Sequence, residues 1–114
     1  MLAELVETAE PGDRFFIHSE AGYSYRYYAA VRPELDLSQL GEVHISVERG
    51  LETPQVAEQV ARLADRGRAW VVYSHMVYRP GEVEAEVNAL LGRYFEPIAA
   101  IEDEGAAAYG WRPK

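Results

Sequence analysis

Cysteine is absent from the sequence. That excludes disulfides, thiolate metal sites and a cysteine nucleophile. Lysine occurs once, at Lys114, and the 11 basic residues face 19 acidic ones, giving a formal net charge of −8. Nucleic-acid binding needs clustered Lys and Arg to displace counterions. The charged clusters here, 82–86 and 102–104, are acidic instead. No nucleic-acid partner is expected, and a bare anionic lipid surface would repel the chain. Apolar runs are short, none nearing the ~18 residues that cross a bilayer. The start, Met1-Leu2-Ala3-Glu4-Leu5, lacks the basic and apolar regions of a signal peptide. It reads as the middle of a helix, so the chain is expected to be a piece of something longer. The glycines Gly12, Gly22, Gly41, Gly50 and Gly67 are dispersed and form neither a phosphate loop nor a dinucleotide fingerprint. No cofactor is expected.

What is present is a globular balance, 48% hydrophobic and 26% charged, over 114 residues, which suits one domain spanning 1–114. Two segments share a shape: Gly12-Asp13-Arg14-Phe15-Phe16-Ile17-His18-Ser19 and Gly67-Arg68-Ala69-Trp70-Val71-Val72-Tyr73-Ser74-His75. Each follows an amphipathic stretch, so each reads as helix, glycine stop, buried strand. Strands apolar throughout are covered on both faces, as in a parallel α/β sheet. Val43 to Val47 alternates with His44 and Ser46 and reads as an edge strand.

Helices are expected near Leu2–Ala9, from Glu20 to Val31, after Thr53-Pro54 and from Val83 to Tyr94. In the second of these, Tyr23, Tyr27, Ala30 and Val31 make one stripe, which assigns Tyr23 and Tyr27 to the core and leaves Tyr25 and Tyr28 outside. Leu35, Leu37 and Leu40 are expected to pack from a loop. Ile98–Ile101 and Ala106–Trp111 read as a closing β-hairpin. The order predicts an α/β three-layer sandwich, mostly parallel and Rossmann-like, with a C-terminal hairpin. The first and third strands should be neighbours, with the second outside the first.

Ligands in such sheets gather at the carboxyl ends of strands. The candidate binding residues are therefore Ser19, Tyr25, Tyr28, Ser74, His75 and Tyr78. Neither serine sits in a nucleophile elbow, and Ser74 next to His75 along a strand points the two side chains apart. His18, His44 and His75 read as polar residues at strands rather than metal ligands, so no metal is expected. Carboxylates such as Asp13, Asp36 and Asp103 fall at turns, where capping is the default role. Tyrosine is the enriched chemistry, an apolar ring with a polar tip that suits sugars and wet interfaces. Met76-Val77-Tyr78 is an apolar loop suited to a partner surface.

The chain resembles the C-terminal extracytoplasmic domain of bacterial polytopic GT-C-type membrane glycosyltransferases, the protein mannosyltransferase and aminoarabinose transferase-like group. The resemblance is carried by Pro11-Gly12-Asp13 before an aromatic-apolar strand, the pair Tyr27-Tyr28, the Gly-Arg-x-Trp run from Gly67 to His75, and the small-residue strand Gly105-Ala106-Ala107-Ala108-Tyr109. It implies a parent enzyme that takes sugar from a polyprenyl-phosphate donor on the extracytoplasmic face of the membrane. The catalytic acids of that group lie between membrane helices, so no catalytic residue is carried over. The implied role is an accessory domain docked on the transmembrane part of the parent enzyme, in reach of a glycan or polyprenyl-linked sugar. Two readings stand beside it: a small hydrolase or metal-dependent enzyme at the strand ends, and a self-association module.

Overall fold

Hydrophobic alternation builds the sheet. In β1 (Arg14–Ile17), Phe15 and Ile17 face one side and Phe16 the other, and all three are buried. In β3 (Ala69–Ser74) every residue is buried. The computed structural model in which these strands lie describes residues 1–46, 53–74, 80–103 and 105–114, the side chains at 19, 20, 53 and 80–83 excepted. The sheet order is β2-β1-β3-β5-β4, with β2 at Val43–Ile45, β4 at Phe95–Glu102 and β5 at Ala106–Pro113. The ladders joining β2, β1 and β3 are parallel, and those joining β3, β5 and β4 are antiparallel. The expected adjacency of the first and third strands, with the second at the edge, is what the chain adopts.

Helices cover both faces. On one side α3 (Thr53–Ala64) and α4 (Pro80–Leu91) bring Val56, Val60, Leu63, Val87 and Leu91 onto Phe16, Val71 and Tyr73. On the other, α1 (Leu2–Thr8), α2 (Ser19–Val31) and two 3-10 turns, Pro33–Leu35 and Leu37–Gln39, set Leu5, Ala21, Tyr25 and Leu37 against Phe15, Ile17, Trp70 and Val72. Burying each large apolar side chain contributes roughly 1.5–3 kcal/mol, so a sheet loaded on both faces is the main source of stability. α3 runs into Gly67, whose φ of 140° suits glycine at a helix stop. α4 ends at Leu91, three residues short of the expected end. Tyr94 falls in the turn that follows and is exposed, and Phe95 takes the buried place. β4 begins before Pro97 rather than after it. It is an edge strand, where a missing N–H is tolerated, and its register slips between Pro97 and Ala99.

The face of α2 is the main departure from the sequence reading. Tyr23 is 86% exposed and Tyr27 59%, whereas Tyr25 is only 6% exposed. Tyr28 is exposed, as expected. The cause is close packing through small residues. Ala21 and Gly22 are buried, and a Cβ on Gly22 would stand 2.8 Å from Ile45 Cγ2. A helix drawn this near the sheet turns Ala21, Tyr25 and Ala29 inward. The bulkier stripe at i, i+4 and i+8 is left outside.

Candidate functional site

The carboxyl ends of β1 and β3 lie side by side, as Ile17 pairs with Val72 and the His18 N–H donates to the Val72 carbonyl at 2.9 Å. A cleft of about 390 Å³ opens there between the start of α1, α2 and the end of β3. Of the sequence candidates it gathers Tyr25, Tyr28 and Ser74, with Ser24 and Arg32 beside them. Ser19 opens α2 at the same sheet end, and its side chain lies outside the described residues, as do His75 and Tyr78 altogether. No carboxylate or imidazole is among the described residues lining the cleft. Among the described residues, then, the cleft offers Ser74 no general base.

Tyr25 is held by structural bonds. Its hydroxyl accepts from the Leu37 N–H at 3.0 Å and donates to Asp36 Oδ1 at 3.1 Å. Asp36 in turn caps the second 3-10 turn, accepting from the Ser38 N–H and hydroxyl at 2.9 and 2.7 Å. Those Ser38 bonds hold the Asp36 carboxyl below its ordinary value. Burial, with the Asp36 charge behind it, pushes Tyr25 from 10.0 up to about 12.

A second group of polar side chains lies across the sheet, on the α4 face. His18 and Tyr73 approach ring to ring at 5.6 Å, and Tyr73 meets Tyr109 at 6.2 Å. The Tyr109 hydroxyl donates to Glu84 and lies 3.0 Å from Glu102 Oε1. Burial raises the pKa of both tyrosines, seconded by the charge of Glu84 at Tyr73 and by hydrogen bonds to Glu84 and Glu102 at Tyr109. A tyrosine raised in the fold favours folding fully below pH 10, the value of the unfolded side chain, and loses that contribution as pH climbs through the folded value. With Tyr25, Tyr73 and Tyr109 all raised, stability is expected to fall steeply above pH 10. Denaturant titrations on either side of that pH, followed beside tyrosinate absorbance, will show it. Stability that stays flat from pH 10 to 12 contradicts the packing described. The Tyr25→Phe variant should lose less on passing through that range.

His44 is exposed on the β2 edge, stacks on Phe16 at 5.4 Å and faces Gln59 Oε1 at 3.2 Å. Among the described residues no three metal-capable side chains converge.

The residue that sequence reasoning undervalued is Asp13. It is buried, and its Oδ2 accepts from Trp70 Nε1 and from the Glu10 N–H, both at 2.9 Å. Its Oδ1 pairs with Arg68 Nε at 3.0 Å. Pro11-Gly12-Asp13 and Gly67-Arg68-Ala69-Trp70, two of the motifs that carry the family resemblance, thus meet in one buried contact 57 residues apart in sequence. It lies at the amino ends of β1 and β3, away from the cleft. An indole N–H that must be buried and a carboxylate at a turn were the available signals.

These features define a three-layer α/β domain, Rossmann-like, with an open cleft at its strand ends and a polar clasp at the opposite end. No helix of the described residues is long and apolar enough to cross a membrane. No protein-family model and no curated protein matches the chain. Among solved structures it is similar to a protein-(glutamine-N5) methyltransferase (release factor-specific) from Alicyclobacillus acidocaldarius. The identity is 14% and the TM-score 0.42, over 98% of this chain and 90% of that one.

Proposed function

We propose that the chain is a non-catalytic, extracytoplasmic accessory domain of a membrane glycosyltransferase that uses a polyprenyl-phosphate sugar donor. The outer face of α2 is its seat on the membrane-embedded part of that enzyme. The supporting observation is the exposed strip of Tyr23, Tyr27, Tyr28 and Val31 on that helix. Large aromatic and branched side chains left in water on one helix face mark a surface meant for contact. Tyrosine suits the boundary between a polar domain and a membrane protein, since its ring is apolar and its tip polar. The net charge of −8 favours a protein neighbour over anionic lipid as the contact. The Asp13–Trp70 bond adds a second support. Residues that carry the resemblance are committed to holding the fold, as suits a domain without its own chemistry.

The isolated chain is expected to transfer no sugar. In the parent enzyme, replacing Tyr23, Tyr27 and Val31 together by serine is expected to cut transfer about tenfold, the loss of one to two kcal/mol of docking energy. Denaturation of the isolated variant should change by less than about 0.5 kcal/mol, since these side chains are exposed. Sugar transfer by the isolated chain overturns the reading. So does a reading frame in which no apolar spans accompany this segment, or full transfer by the parent enzyme carrying the triple variant.

A further inference from the structure

The five-stranded sheet ends in two edges, β2 and β4, and they are built differently. β4 carries Pro97, a register slip between Pro97 and Ala99, and exposed acids at Glu96 and Glu102. Proline, irregularity and charge are the devices that keep an edge from pairing with another chain. β2 has none of them. Its register against β1 runs unbroken through Val43, His44 and Ile45. Glu42, the acid just before it, is committed to Arg14 and Arg66 of its own chain. The ladder also fixes where the β2 backbone points. The Phe15 N–H donates to the Glu42 carbonyl at 2.9 Å, and the Ser46 N–H to the Ile17 carbonyl at 3.0 Å. Even-numbered residues therefore turn their main-chain groups toward β1, and Val43 and Ile45 turn theirs outward.

We propose that β2 pairs antiparallel with β2 of a second copy of this chain, about a two-fold axis through His44, so that one sheet runs through both. Val43 then exchanges both main-chain bonds with the partner's Ile45, and Ile45 with the partner's Val43. The strand and its flank both favour a second copy over a foreign strand. Val43-His44-Ile45 sets a branched apolar residue on each side of a histidine, so it reads alike after reversal. Such an isologous contact closes at two copies and builds no fibre. The flank of α3 beside this edge carries one acid and one base, Glu58 and Arg62, both exposed. The same axis reverses that flank, so a second copy offers Arg62 toward Glu58 and Glu58 toward Arg62. This match of opposite charges fixes register and orientation. A groove of about 540 Å³ between β2 and α3, lined by His44, Gln55 and Gln59 besides the charged pair, leaves the flank open to the meeting. An edge this short makes a small interface, so the dimer forms with concentration rather than permanently. The inference does not rest on the docking reading above, which concerns the outer face of α2.

The test is sedimentation equilibrium of the isolated chain, from about 10 µM to about 1 mM, in about 0.15 M salt to screen the net charge of −8. The mass is expected to rise with concentration from 12.8 kDa toward twice that value. Val43→Pro removes an outward N–H and leaves the β1 ladder whole. It should raise the dissociation constant about thirtyfold, one hydrogen bond being lost from each symmetry-related pair. Arg62→Glu sets acid against acid and should raise it about tenfold. The double variant with Glu58→Arg restores the match and should recover most of that loss. Both charged positions are exposed, so these variants keep the fold even where Val43→Pro does not, and urea denaturation verifies it. A monomer mass at about 1 mM overturns the proposal. So does a dimer that folded Val43→Pro leaves unchanged, or a double variant no tighter than Arg62→Glu. Failure here leaves the α2 strip untouched, since its test reads sugar transfer by the parent enzyme.

Discussion

The Asp13→Ala variant is expected to lose about 3–5 kcal/mol of stability, the cost of breaking a buried charged pair from one side. Three partners are affected at once. The Trp70 indole N–H and the Glu10 N–H lose their acceptor, and Arg68 loses its partner at Oδ1. Trp70 is fully buried, so its N–H finds no water in exchange. Domains of this size are stable by only about 5–15 kcal/mol, so the variant should unfold at markedly lower urea. The Asp13→Asn variant retains an acceptor for Trp70 and should lose less. Glu10→Gln is the matched control: it breaks an exposed ion pair to Arg68 at 3.2 Å and should cost under about 1 kcal/mol. Urea denaturation followed by Trp fluorescence measures all three. An Asp13→Ala cost below that of Glu10→Gln would mean the clasp does not bear on folding.

Gly41→Ala is expected to cost about 3 kcal/mol by overpacking against backbone. A Cβ at this position would stand 1.9 Å from the carbonyl oxygen of Asp13 and 3.0 Å from its carbonyl carbon. A side chain could swing aside, but this obstacle is main chain. The neighbouring bond from the Gly12 N–H to the Leu40 carbonyl, 2.7 Å long, ties the same two segments together. Relief therefore means parting the turn before β1 from the turn before β2. Because that movement displaces Asp13, the double variant with Asp13→Ala should lose less than the sum of the two single losses. Gly105→Ala is the control, since a Cβ there meets nothing within 4 Å, and it should stay within about 0.5 kcal/mol. Thermal unfolding of the four proteins decides. A Gly41→Ala protein as stable as Gly105→Ala would refute the contact.

The gathering of candidate residues at the strand ends was legible in the sequence, and the surroundings of each were not. Ser74, Tyr25 and Tyr28 do share a cleft, because parallel strands with helical crossovers bring their carboxyl ends to one side. Tyr25 reached it as a buried strut bonded to Leu37 and Asp36 rather than as an exposed contact. Asp36 met its capping expectation. Asp13, with the same residue type at a similar turn, became the centre of a buried network. Both are aspartates in turns, and local pattern has no means to see which turn a distant tryptophan will cover.

By itself the sequence determined the layer arrangement, the parallel pairing of β1 with β2 and β3, and β2 at an edge. Runs such as Phe15-Phe16-Ile17 and Trp70-Val71-Val72 must be covered on both faces whatever their neighbours, and alternation in Val43-His44-Ile45 leaves one side wetter. Only the tertiary structure decided which side of α2 faces water and that Asp13 and Trp70 meet. Helix rotation depends on how near the backbone can approach the sheet, which Gly22 and Ile45 set between them. Contacts between distant segments depend on register, and neither quantity is written in a local period.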